Sequence, residues 1–340
     1  MKLGLCFDDV LLEPKYSDIK SRKEINIGNS LSDSLHLDCP IISAPMDTVT
    51  EGDMSVAIRK AGGLGIVHRY NTIEEQCKII RDVSVVYNHE VGAAIGTQGD
   101  YLERAKELVH HGAKVICLDV AHGHHALVEN ALLNLRQQLP SSVHIMAGNV
   151  ATEKAFYDLS DWGADSIRVG IGGGSICSTR IQTGHGVPTL QSVIDCVRAA
   201  KDMNVKLIAD GGIKNSGDMV KALAAGADFV MAGSLLAGTA ESPGDVINTP
   251  QGRYKAYRGM ASKEAQRAWK GKVSSREGIS THIPYKGSVK DILGDLSVGI
   301  RSGFSYSGAR NLKELHQVST MIQQTGAGSK ESATHILSRN

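Results

Sequence analysis

Eight short apolar runs at a near-constant interval constrain this chain more than any other feature. They are Pro40–Ala44, Gly63–His68, Val91–Gly96, Val115–Val120, His144–Asn149, Ser166–Ile171, Lys206–Gly211 and Phe229–Gly233. From start to start they average 27 residues. Each is rich in Val, Ile, Leu and Ala, the pattern of a strand buried on both faces. Between them lie segments of helical period: Tyr101–His110, Ala126–Gln137, Thr152–Leu159, Leu190–Ala200 and Ser216–Ala225. Eight β–α alternations predict an α/β fold, a closed TIM-type (β/α)8 barrel, over about residues 38–245. An open doubly wound sheet fits less well, because no Gly-x-Gly-x-x-Gly follows an early strand. A flap at about 250–287 and a C-terminal segment, 288–340, complete a single catalytic domain.

Composition narrows the function classes. Lys+Arg is 37 and Asp+Glu 36, so the net charge of +1 argues against binding driven by nucleic-acid phosphates or an anionic membrane surface. Aromatics are 4 %, too few for base-stacking platforms. No run of 18 apolar residues exists to span a membrane. The start carries Asp8 and Asp9 where a signal peptide needs an apolar run. Cys6, Cys39, Cys77, Cys117, Cys177 and Cys196 form no Cys-x-x-Cys, which fits a reduced, cytoplasmic protein better than a disulfide frame or a zinc site.

The interval from Ser166 to Lys206 is 40 residues, and the excess is the glycine-rich stretch Gly172–Thr189. Long loops on this end of a barrel carry chemistry. Cys177 stands there beside Ser175, Ser178, Thr179 and Arg180. It is a candidate nucleophile, because a cation and backbone N–H groups favour the thiolate; the alternative is a structural thiol. Gly211-Gly212 and Gly233-Ser234 follow the seventh and eighth runs. They are either a phosphate cradle or plain turn residues. Asp210 ends a strand as a ribose-diol ligand or as a salt-bridge partner, and Asp119 and Asn149 tip two other strands at the same mouth. His122, His124 and His125 have no carboxylate or Cys at ligand spacing, so a surface loop fits better than a metal site. The carbonyls of Gly172, Gly174 and Cys177 offer a monovalent-cation site. Residues 250–287 are polar, glycine-punctuated and read as an irregular, mobile flap, and the tail from Ser329 reads as poorly packed.

Several motifs resemble the IMP dehydrogenase / GMP reductase family. They are Val169-Gly-Ile-Gly-Gly-Gly-Ser-Ile-Cys-Ser-Thr-Arg180 with Thr183-Gly-His-Gly-Val-Pro188, Phe7-Asp-Asp-Val-Leu-Leu12, Ser43-Ala-Pro-Met-Asp-Thr-Val49, Ala147-Gly-Asn-Val150, Ala209-Asp-Gly-Gly-Ile213, Met231-Ala-Gly-Ser-Leu-Leu236, Tyr257-Arg-Gly-Met260 and Glu277-Gly278. The resemblance covers almost the whole chain. It implies a purine mononucleotide at the barrel mouth, attacked at C2 by Cys177, and a nicotinamide cofactor exchanging hydride there. It further implies phosphate binding by Ser175, Gly212, Gly233, Ser234 and Tyr257. Asp210 would hold the ribose, and Met260, Gly278 and neighbouring Gly259 the base. Asp119, Asn149 and Gly170 would face the cofactor, and carbonyls of Gly172, Gly174 and Cys177 a potassium ion. Thr179 and Glu277 would move protons, and the family likeness implies a homotetramer. One departure is Gly173, where the family usually has Pro or Ser. A second is the lack of paired cystathionine-β-synthase-type (CBS) repeats before the third run.

Direction is read from the flap. Gly259 to Gly278 spans 20 residues and lacks the Arg-Tyr pair with which dehydrogenases of this family activate water, so it looks like a reductase flap. The stretch Pro14–Glu24 also looks reductase-like. Arg267 beside Trp269 is the candidate stand-in for the missing pair. Arg168, the stretch Met46–Glu51, and the Gly326–Ser332 stretch with His335 resemble dehydrogenases. The expected activity is reduction of GMP by NADPH to IMP and ammonia. The alternatives are oxidation of IMP by NAD to XMP and a non-catalytic nucleotide-binding paralogue.

Overall fold

The computed structural model describes residues 1–273, 277–332 and 334; positions 274–276 of the flap and, in the tail, 333 and 335–340 with His335 lie outside the described residues. Eight parallel strands close into a barrel: β1 (Ile41–Ser43), β2 (Leu64–Val67), β3 (Gly92–Ile95), β4 (Val115–Asp119), β5 (His144–Val150), β6 (Ser166–Val169), β7 (Lys206–Asp210) and β8 (Phe229–Ala232). Each lies within one of the eight apolar runs or overruns it by one residue. The strands are buried nearly throughout, which is why they read as continuous apolar runs. Helices α1 (Gly52–Lys60), α2 (Ile73–Arg81), α3 (Tyr101–His110), α4 (Ala126–Gln138), α5 (Glu153–Asp161), α6 (Thr189–Met203) and α7 (Ser216–Ala224) follow β1 to β7 in turn. Thr72 starts α2 with a capping box, its hydroxyl on the Glu75 N–H and the Glu75 carboxylate on its own N–H.

The eighth helix arrives late. The chain leaves β8, builds the flap, and returns as Val289–Tyr306, which packs between the Ser216–Ala224 and Gly52–Lys60 helices. The flap is an insertion between the last barrel strand and its helix. Below the barrel a hairpin, Asn29–Ser32 with Leu35–Leu37, places Leu31, Leu35 and Leu37 against the interior layer of Ile42, Ile66, Met146 and Phe229. Val10–Leu12 pairs antiparallel with Met321–Gln323, so the two ends of the chain hold each other. The tail from Ser329 finishes the helix Gly326–Glu331, none of whose residues is buried.

The flap is more regular than expected. It holds the antiparallel strands β9 (Ile247–Thr249), β10 (Gly252–Arg258) and β11 (Ser280–Pro284), and a helix α8 (Lys263–Lys270). The alternation in β10 is hidden because its inward residues are Lys255 and Tyr257. Lys255 is 2 % exposed and donates to the carbonyls of Thr239 and Ser242. A buried lysine with its ammonium satisfied by carbonyls reads as polar surface in the sequence.

His144 lies at the bottom of the barrel, 4 % exposed, with Nε2 2.8 Å from Ser166 Oγ. Burial pushes its pKa down to about 4. The unfolded chain therefore binds this proton first. The associated stability is complete above about pH 6.5 and is lost as pH falls toward 4. Urea midpoints measured between pH 7 and 4 are expected to fall along this window, and to fall less in His144→Gln.

Candidate active site

The C-terminal ends of the strands surround a cavity of about 460 Å³. Of the expected site residues, Asp119, Asn149, Gly170, Gly172, Gly174, Ser175, Cys177, Thr179, Asp210, Gly212, Gly233, Ser234, Tyr257, Gly259, Met260 and Glu277 line it. Gly278 stands just behind, bridged to Cys177 and Ser262.

Cys177 lies on the loop after β6, its N–H on the Gly174 carbonyl at 3.1 Å. The flap is sewn to this loop: Ser178 N–H donates to Glu277 O and Ile279 N–H to Ile176 O, each at 3.1 Å. That stitching brings Glu277 against a residue 98 positions earlier. The Cys177 thiol donates to Thr179 Oγ1 at 3.2 Å, and the Thr179 hydroxyl donates to Glu277 Oε2 at 2.8 Å. Thiol, hydroxyl and carboxylate thus form one line for protons. Cys117 and Cys196 differ in kind, since burial pushes both thiols up to about 12. Cys177 is partly exposed at the cavity wall.

The loop conformation depends on glycine at two places. Gly170 has φ +144°, and a Cβ there would lie 2.0 Å from the Asp210 carbonyl oxygen. At Gly173 a Cβ would lie 2.3 Å from Thr189 Oγ1, itself a buried hydroxyl without a partner among the described residues. The Thr189 hydroxyl lies in the space a Cβ at 173 would enter.

Asp210 is held in a salt bridge. Arg168 is 7 % exposed and reaches up inside the barrel between two carboxylates. Its Nη1 donates to Asp119 Oδ1 at 2.6 Å; Nε and Nη2 donate to Asp210 Oδ2 at 3.1 and 2.8 Å. The two carboxylates hold the guanidinium firmly protonated despite its burial. Asn149 Nδ2 donates to Asp210 Oδ2 and to the Gly170 carbonyl, at 2.8 and 2.9 Å, while Asn149 Oδ1 is buried and has no partner among the described residues. All of Asp210's hydrogen bonds fall on Oδ2, so Oδ1 makes none among the described residues.

On the other side, Gly211 and Gly212 turn with φ +90° and +76°. Burial raises the Tyr257 pKa, keeping the phenol protonated 3.4 Å from Ser175 Oγ. Arg258 clamps Asp47 through Nε and Nη2, at 2.9 and 2.6 Å. Tyr70 donates its hydroxyl to the Met260 carbonyl at 2.8 Å and stacks on Trp269 of α8, centroids 6.1 Å apart.

The histidine loop does other work. His125 caps α4 by accepting the Leu127 N–H at 3.0 Å, and His124 Nε2 sits 2.7 Å from Asp158 Oδ2. Burial, then the neighbouring His124, His125 and His185, lowers the His122 pKa.

Among the lining residues that the sequence reading did not name as site residues are Met46, Arg69, Tyr70 and Arg168. Arg69 and Tyr70 follow the apolar run of β2 directly, so the rule that strand tips face the mouth would have found them. Arg267, the candidate stand-in on the flap, is exposed on α8 and does not line the cavity.

Residues 4–335 match the family described as IMP dehydrogenase / GMP reductase domain. The chain is 34 % identical to an inosine-5'-monophosphate dehydrogenase of Nitrosopumilus maritimus, over 98 % of both chains. It is 32 % identical to a GMP reductase of Leishmania major, over 99 % of this chain and 97 % of that one. These alignments run over 469 and 480 positions against 340 residues, so well over a hundred positions of each relative face gaps here. Among solved structures, a cysteine-to-alanine variant of GMP reductase from Trypanosoma brucei in complex with guanosine 5'-monophosphate superposes with a TM-score of 0.93, at 31 % identity and 98 % coverage of each chain. A matched family domain over nearly the full length, on a barrel with this cysteine loop, shows that the chain belongs to the IMP dehydrogenase / GMP reductase family of NAD(P)-dependent oxidoreductases.

Proposed function

We propose that this chain is an NADPH-dependent GMP reductase, releasing IMP and ammonia. The observation that carries it is the line from Cys177 through Thr179 to Glu277 at the cavity wall, combined with a flap that, among the described residues, sets no arginine in the cavity. Dehydrogenation needs a water activator at this point; reduction needs an acid for the leaving amine.

Gly212, Gly233 and Ser234, with Ser175 and Tyr257, receive the 5'-phosphate on backbone N–H groups and hydroxyls. Asp210 accepts from the ribose through Oδ1, while Met260, Gly259 and Gly278 flank the base. Cys177 gives its proton to the Thr179–Glu277 line, and the thiolate bonds to C2. The 2-amino group takes that one proton back along the same line and leaves as ammonia. Hydride delivered to C2 is the chemistry that a bound reduced nicotinamide dinucleotide supplies, and the sulfur then departs as thiolate. Asn149 Oδ1, buried and without a partner among the described residues, suits the amide N–H of a nicotinamide, with Asp119 and Gly170 beside it. Potassium suits the carbonyls of Gly172, Gly174 and Cys177, three oxygen donors on one turn. The Gly174 carbonyl accepts a single N–H and keeps a lone pair. Six free thiols fit a reducing cytoplasm, and we infer a homotetramer.

A second reading, IMP oxidised by NAD to XMP, rests on the dehydrogenase-like Arg168. Loss of reduced-nicotinamide absorbance with GMP plus NADPH, and none gained with IMP plus NAD, is the expected result; the reverse pattern overturns the direction. Absence of turnover in both mixtures, with no adduct by intact mass, favours a non-catalytic paralogue. Glu277→Gln is expected to lower kcat about 10²-fold with little change in KM for GMP, measured by steady-state kinetics.

A further inference from the structure

The phosphate-binding groups proposed above stand on separate pieces of chain. Ser175 and Gly212 belong to loops after β6 and β7, Gly233 and Ser234 to the turn after β8, and Tyr257 to flap strand β10. A phosphate gripped between the turn and the flap requires those two pieces to keep one spacing.

Two lysines of the flap set that spacing. Lys255 lies two residues before Tyr257 on β10, and both side chains are buried on the same side of the strand. Lys255 Nζ donates to the carbonyl of Thr239, at 3.0 Å, and to that of Ser242. Thr239 and Ser242 are themselves buried, and the Ser242 hydroxyl donates to the same Thr239 carbonyl at 2.9 Å. Lys286, just beyond β11, donates through Nζ to the carbonyls of Ser234 and Leu235, at 2.5 and 3.2 Å. Its backbone N–H donates to the Gly238 carbonyl at 2.8 Å. Carbonyls between Ser234 and Ser242 thus meet two ammonium groups of the flap, while Gly233 and Ser234 line the cavity. The Tyr257 hydroxyl comes so near the turn that a Cβ on Gly233 would lie 3.5 Å from it.

Lys255 is a costly way to fill this space. It is almost wholly buried, makes no salt bridge among the described residues, and burial lowers its pKa. An apolar side chain of the same length would avoid that desolvation, but would leave two carbonyls short of a donor. The ammonium does what such a side chain cannot: it ties the backbone of the turn to the strand that carries Tyr257.

We propose that Lys255 and Lys286 are positioning residues for the substrate's 5'-phosphate, holding the turn after β8 on the flap so that Gly233, Ser234 and Tyr257 form one cradle. The lysines act through the backbone of the turn, and neither is a phosphate ligand. The inference rests on the reading that a purine mononucleotide binds here through those residues. A consequence is that a bound phosphate and a seated flap stabilise each other.

The test separates binding from turnover in the full chain. Lys255→Met is expected to weaken GMP about tenfold or more by calorimetry, while kcat at saturating GMP falls less than about threefold. Lys286→Met, at an exposed side chain, is expected to weaken GMP about threefold or more in the same manner. The dissociation constant of guanosine, which lacks the phosphate, is measured by competition and is expected to stay within about twofold of wild type in both variants. GMP affinity within about twofold of wild type in the variants overturns the inference. So does an equal loss for guanosine, or a tenfold fall in kcat, since either marks general loosening of the flap that carries Glu277. If melting curves show that Lys255→Met does not fold, Lys286→Met alone decides by the same criteria. If the wild type turns over IMP and not GMP, the direction of reaction proposed above fails, and the lysines are tested with IMP and inosine instead. If the wild type binds neither mononucleotide, the substrate reading itself fails and the inference falls with it.

Discussion

Cys177→Ala is expected to lower kcat by at least about 10³ while leaving the affinity for GMP nearly unchanged. The thiol lies at the cavity wall, 3.2 Å from the hydroxyl that would take its proton. Its removal deletes the atom that bonds to C2 and nothing that holds phosphate or ribose. Steady-state kinetics gives the first half of the expectation and calorimetry with GMP the second. Intact-mass measurement of trapped reactions is expected to show a nucleotide adduct on the wild type and none on the variant. Full turnover by Cys177→Ala would sink the covalent route in either direction of hydride transfer.

Arg168→Met is expected to destabilise the fold by about 3–5 kcal/mol, because it leaves two carboxylates facing each other without their shared cation. The side chains of Asp119 and Asp210 are 17 % and 14 % exposed, so water screens them little. For a chain of this length the shift in Tm is about 4–7 °C by calorimetry. Adding Asp119→Asn to Arg168→Met is expected to recover part of the loss, since one uncompensated charge is then gone. A double variant no more stable than Arg168→Met would show that the guanidinium acts by packing alone. The same ion pair bears on the proposed ribose contact, because Arg168 and Asn149 both load Asp210 Oδ2 and Oδ1 makes no hydrogen bond among the described residues.

Much of the site was legible because the barrel converts sequence position into place. A residue at the C-terminal tip of a strand faces the mouth, so Asp119, Asn149 and Asp210 could be assigned to one cavity from their runs alone. Gly211-Gly212 after β7 and Gly233-Ser234 after β8 carried the same information. Arg69 shows the limit of that reading. It obeys the rule, yet Arg beside a strand end is an ordinary surface residue until its position in the cavity wall, with a buried Nε that has no hydrogen-bond partner among the described residues, marks it. Arg168 shows another limit. Its neighbours in the chain, Ile167 and Val169, point outward into the helical layer, and only closure of the barrel sets it inside between Cys117, Asp119 and Asp210.

The flap marks where local pattern fails. Strand β10 buries Lys255 and Tyr257, so alternation of apolar and polar residues does not announce it. What the sequence determined alone was the repeating unit: eight apolar strands separated by amphipathic helices, with glycine where the chain turns tightly against another backbone. These are local properties, written in runs of a few residues. The tertiary structure decided the rest. It set Glu277 on Thr179 across 98 positions, matched one guanidinium to two carboxylates, and placed the eighth helix after the flap. Proton transfer and charge balance act over a few ångströms in space, and separation along the chain carries no measure of that distance.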